Sequence, residues 1–177
     1  MIVNKKIENS IDGLVGDLKK EDSNYASMCK RLQYMYWILV PLYVLIGFIH
    51  FFDSGEWSEG IGSLCFALAM LIFAFLFRKY SKEYKYVDYS LPTVHMLRAA
   101  ANRHSLFRKE TIWLLGALIF LDAGLIMNSP MDASIYEIQI IFVPVMLIAM
   151  LIGFFVWYFK YKHLRDRAKA FLADIEE

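Results

Sequence analysis

Residues 138–159 read IQIIFVPVMLIAMLIGFFVWYF and contain no Lys, Arg, Asp or Glu. A helix needs about 20 such residues to cross a bilayer core, so this stretch reads as a membrane span. Three more lie upstream: 33–52 (QYMYWILVPLYVLIGFIHFF), 61–77 (IGSLCFALAMLIFAFLF) and 112–128 (IWLLGALIFLDAGLIMN). The second is the shortest, and Trp57 extends it towards the interface. Tyr34, Tyr36, Trp37, Tyr80, Trp113, Trp157, Tyr158 and Tyr161 flank the runs where interfacial aromatics belong. Whole-chain composition agrees: 58% of residues are hydrophobic, against roughly 45–50% in soluble domains. The bilayer is therefore the expected partner. A net charge of +1 supplies no field for nucleic acid, which is not expected to bind.

The basic residues orient the spans. All 19 Lys and Arg lie before the first run, between the second and third, or after the fourth. The connections 53–60 and 129–137 hold none, but carry Asp53, Glu56, Glu59, Asp132 and Glu137. Positive charge marks the cytoplasmic side, so both termini are expected there; were the source bacterial, the membrane would be the inner (plasma) membrane. The first run has the length of an anchor and no small-residue cleavage pattern, so it is not expected to be cleaved. Cys29 and Cys65 fall at different depths and are not expected to form a disulfide.

The expected fold is an all-α membrane protein whose four transmembrane helices form two antiparallel hairpins. Its segments are a cytoplasmic amphipathic helix (1–32), hairpin one (33–79), a cytoplasmic helical connection (80–111), hairpin two (112–159) and a cytoplasmic C-terminal helix (160–177). The string Ala-Met-Leu-Ile recurs at Ala69 to Ile72 and at Ala149 to Ile152, with Phe75 and Phe155 in step. Basic pairs, Lys30-Arg31 and Arg108-Lys109, precede both hairpins. A 2+2 repeat would produce such matches, and so would chance among few apolar residue types.

The cytoplasmic segments carry helical periodicity. Ile7, Ile11, Leu14, Leu18, Glu21, Tyr25, Met28 and Leu32 step by four and three, with Glu21 the polar break. Ser90-Leu91-Pro92 reads as a helix start, followed by a stripe of Val94, Leu97, Ala101 and His104. Tyr161, Leu164, Ala168, Phe171 and Ile175 continue the fourth span as an amphipathic helix.

Asp122 is the one formally charged residue inside a run, and an intramembrane carboxylate must be neutralised, paired or hydrated. His50 and Tyr43 in the outer half of the first span are its expected partners. The three together form a candidate proton or ion site, or else a structural hydrogen bond. Ser63 with Ala67, Gly116 with Gly124, and Ala149 with Gly153 are small-residue pairs that suit close helix packing. Pro41 and Pro144 are expected to kink their helices.

No metal is expected, since His95, His104 and His163 lack ligand spacing. Nor is a cofactor: His50 alone lies in a span, and haem would need a second ligand. No phosphate-binding loop or nucleophile elbow is present, so catalytic residues are not expected. The sequence instead suggests a scaffold or regulator acting through its cytoplasmic helices on a cytoplasmic protein partner. The alternative is a small oligomeric transporter or channel using Asp122. A homo-oligomer is expected in either case, a dimer first.

Overall fold

The structure, a computed structural model, describes residues 2–55, 57–105, 109–129 and 134–176, with side chains from Gly13 onward except at Ser54, Thr111 and Glu176. Glu56, Arg108 and Asp132, and the side chains of Ile7 and Ile11, lie outside the described residues. The described chain is helical, with no strand: α1 (Ile2–Ser54), α2 (Trp57–Lys85), α3 (Thr93–Arg103), α4 (Thr111–Met127), α5 (Ile135–Val156), a π-turn (Trp157–Tyr161) and α6 (Lys162–Glu176).

Residues 1–32 and the first span were expected as two elements, and the structure joins them in one helix. Neither Gly13 and Gly16 nor Pro41 interrupts the 53 residues of α1. A helical Gly costs only about 1 kcal/mol, and freed backbone groups at an intramembrane Pro are commonly re-satisfied nearby. Three helices, α1, α2 and α5 with its continuation, are long and apolar enough to span a membrane. Helix α4 is equally apolar but has 17 residues, about 26 Å at helical rise against a hydrocarbon core of about 30 Å.

Two compact units emerge. The apolar unit comprises Met28–Ser81 and Lys109–Ala149. Here α1 and α2 pack antiparallel: Tyr36 stacks on Phe73 and Phe77, Trp37 meets Phe75 edge-on, and Tyr43 meets Phe66. Cys29 and Cys65 are not joined in a disulfide. The repeated string occupies unlike surroundings, since Ala69 and Met70 are buried whereas no residue of α5 is.

The polar unit comprises Met1–Ser27, Lys82–Arg108 and Met150–Glu177. Its core draws Leu14 and Leu18 from α1, Met96, Leu97, Ala100 and Ala101 from α3, and Leu164 and Ala168 from α6. Each fully buried leucine contributes about 1.5–3 kcal/mol. Helix α3 begins just after Pro92, as the sequence suggests, and of its expected stripe Leu97, Ala101 and His104 are buried. Of the expected α6 stripe, Leu164 and Ala168 are buried and Phe171 packs against the core, but Ile175 is 43% exposed.

The seam along α1 departs from expectation. Beyond Leu18 the buried positions are Asp22, Ala26 and Cys29, while Met28 is 46% exposed. The face turns by about one residue, and it turns an aspartate inward.

Candidate functional site

The inward Asp22 is the centre of a dense polar arrangement among the described residues of the polar unit. Its side chain is 1% exposed, where an unpaired carboxylate would be costly. Three groups hold it. The Tyr89 hydroxyl donates to Oδ2 at 2.7 Å and Arg103 Nη2 donates to the same oxygen at 3.0 Å. His104 Nε2 faces Oδ1 at 3.3 Å, a longer contact than either of these. Burial alone would push the Asp22 carboxyl up; the His104 and Tyr89 contacts and the Arg103 charge outweigh it and hold the group below the usual carboxylate range. Burial and the adjacent carboxylate push the Tyr89 hydroxyl far above its ordinary value.

Further groups tie this cluster to the rest of the unit. Tyr84 donates to the Arg103 carbonyl at 2.8 Å, and Trp157 Nε1 donates to the His104 carbonyl at 2.9 Å. Tyr161 stacks on the His104 ring, with centroids 5.6 Å apart and planes 11° from parallel. Lys160 pairs with Glu21 at 2.8 Å. Both Trp157 and Tyr161 come from the π-turn, a rare element that concentrates at functional positions. Segments far apart in sequence thus converge on one carboxylate. Among the described residues no group of His, Cys, Asp and Glu could hold a metal ion. The chemistry available here is that of an ionic clamp.

In the apolar unit, Asp122 does not meet His50 or Tyr43. Gln139 Nε2 of α5 donates to its Oδ1 at 2.5 Å, which ties α4 to α5. His50 lies 3.3 Å from Glu59 across the turn between α1 and α2, with its side chain half exposed. Tyr43 lines an apolar groove between α1 and α2 with Gly47, Phe51, Trp57 and Leu64. The expected three-residue constellation therefore divides into separate places. The acceptor–donor match of a carboxylate with a glutamine was available in the sequence, but nothing there specified which helix faces Asp122.

The small residues also separate. Ser63 and Ala67 are buried, and a Cβ on Gly47 would lie 2.9 Å from Ser63 Cβ, so α1 and α2 touch there. A Cβ on Gly124 would meet the Gly62 carbonyl at 3.0 Å and the Phe66 ring at 3.1 Å, which locates the contact of α4 with α2. Gly116 and Gly153 have nothing within 4 Å of that position among the described residues, and Ala149 is exposed. Gly47 and Gly62 are the packing residues the spacing did not single out.

Residues 17–121 match the family described as Mechanosensitive ion channel inner membrane domain 1. No curated protein and no solved structure matches the chain. The matched segment covers more than half of the sequence, from the polar part of α1 through α2 and α3 to the residue before Asp122. With its long apolar helices this is an integral protein of the inner membrane, and the chain belongs to the mechanosensitive ion channel inner membrane domain 1 family.

Proposed function

We propose that the chain is a tension-responsive membrane module with four spans and both termini in the cytoplasm, working as a homo-oligomer. The observation that carries this reading is the family match over residues 17–121. The one-sided placement of all 19 Lys and Arg supports the topology. Helix α4 serves as the fourth span: a short apolar helix is accommodated by local thinning of the bilayer at modest cost, and thinning is also what membrane tension produces.

Helix continuity supports a mechanical role. Helix α1 runs unbroken from its apolar stretch into the segment bearing Leu18 and Asp22, and α2 runs on to Tyr84. Four helices are too few to enclose a pathway, so conduction requires several copies around a symmetry axis. Asp122 already has a partner in Gln139, and this reading uses it as a structural residue.

The test is patch recording from liposomes containing only the full chain. The expected result is current that opens under suction below the lytic tension and is unaltered by Asp122→Asn. Silence up to membrane rupture overturns the reading as a conducting module. A scaffold for a cytoplasmic partner would then be favoured by the polar unit's own buried core.

A further inference from the structure

Helices α2 and α4 leave a groove of about 310 Å³ between them, walled by Ile72, Phe75, Leu76 and Trp113. At one end Lys79 Nζ donates to Glu110 Oε1 at 2.8 Å. That pair lies where both apolar runs stop, for the run in α2 ends at Phe77 and that in α4 begins at Ile112. The floor of the groove therefore lies at acyl-chain depth and its ionic end at headgroup depth, where charged and aromatic anchors collect. A cation and an anion side by side at that level are the complement of a zwitterion.

We propose that this groove is a binding site for phosphatidylethanolamine. The lipid phosphate takes Lys79, its primary ammonium takes Glu110, and one acyl chain lies over Ile72, Phe75, Leu76 and Trp113. The two side chains are unequally exposed, 57% for Lys79 and 19% for Glu110, so the lysine can swing towards a phosphate while the carboxylate stays in place. An exposed lysine–carboxylate pair is individually weak, and opening it to admit a headgroup costs little. Chemistry selects among lipids. A phosphatidylglycerol satisfies Lys79 but leaves Glu110 against a negative headgroup. A phosphatidylcholine carries its positive charge on a nitrogen with no N–H to donate. The ammonium of phosphatidylethanolamine has three donors for the Glu110 carboxylate.

The experiment is native mass spectrometry of the full chain in mild detergent, titrated with phosphatidylethanolamine, its N-methyl and N,N-dimethyl derivatives, phosphatidylcholine and phosphatidylglycerol of one acyl composition. Occupancy of the first bound lipid is expected to fall with each methyl group, by about fivefold across the series. Glu110→Gln flattens that series, and Lys79→Ala weakens all the phospholipids. Equal binding of the ethanolamine and choline lipids by the unmodified chain overturns the proposal, as does preference for phosphatidylglycerol. A methyl dependence that survives Glu110→Gln places the selective site elsewhere and overturns it too. The methyl series on the natural chain needs no variant to fold.

Discussion

Replacing Asp22 by Asn removes one charge and almost no volume from the middle of the polar unit. The carboxylate is 1% exposed and the Arg103 side chain 11%, so the variant leaves a guanidinium with neither a counter-ion nor ready access to water. Breaking one side of a buried pair costs about 3–5 kcal/mol. The Tyr89 hydroxyl retains an acceptor in the amide oxygen, and the lower end of that range, about 3 kcal/mol, is expected. Hydrogen exchange in the full chain reads this directly. Amides of α3 that open with the polar unit should exchange about a hundredfold faster, while those in the apolar part of α2 keep their rates. Adding Arg103→Met to Asp22→Asn should recover part of the loss, because an apolar residue needs no counter-ion. The natural protein should also lose this contribution in acid. The Asp22 carboxyl lies below its ordinary value in the fold, so its stabilisation is complete above the usual carboxylate range and disappears as pH falls through the folded-state value. Asp22→Asn should remove that acid dependence. Unchanged α3 exchange in Asp22→Asn, or strict additivity with Arg103→Met, would refute the clamp.

Other perturbations test other parts of the fold. Gly47→Ala brings a methyl within 2.9 Å of Ser63 Cβ and should cost about 1–3 kcal/mol by overpacking, read as a lower melting temperature and rescued by Ser63→Gly. Gly153→Ala, where nothing lies within 4 Å, should leave the melting temperature unchanged. Leu97→Ala empties a fully buried position of the polar core and should cost about 2–5 kcal/mol, measured by proteolysis of the polar unit. Asp122→Asn keeps an oxygen for Gln139 and should change stability little, whereas Gln139→Leu should cost about 0.6 kcal/mol; a larger loss in Asp122→Asn would mean that the charge itself matters.

The sequence makes some of these features plain and conceals others for physical reasons. Membrane-spanning character is a sum over many residues, and the apolar runs at 33–52, 61–77 and 138–159 all fall within long helices. The start of α3 after Pro92 and the buried positions Leu97, Leu164 and Ala168 follow from local periodicity. Partner choice is different, because it depends on contacts between segments distant in the chain. Asp122 reads as unusual by itself, yet Gln139 is merely one polar residue in an apolar run until α4 and α5 are laid together. Asp22 was hidden more deeply. A heptad reading places Glu21 at the seam, whereas the buried face of α1 runs through Leu18, Asp22, Ala26 and Cys29 and brings the aspartate to Arg103 and Tyr89. The π-turn left no mark in the hydrophobic pattern, which runs smoothly from Phe154 to Leu164.

That turn gives the chain a phase adjuster. A π-turn carries one more residue than the α-helical turn it replaces, so the faces of α5 and α6 are offset by about 100° from those of one uninterrupted helix. Loss of a single residue between Trp157 and Tyr161 would restore the regular pitch and re-aim the preceding Met150–Val156 without altering the buried side of α6. The face of Met150–Val156 is thereby set independently of the side that α6 commits to the polar core. One residue at the joint counts for more than many substitutions along either arm.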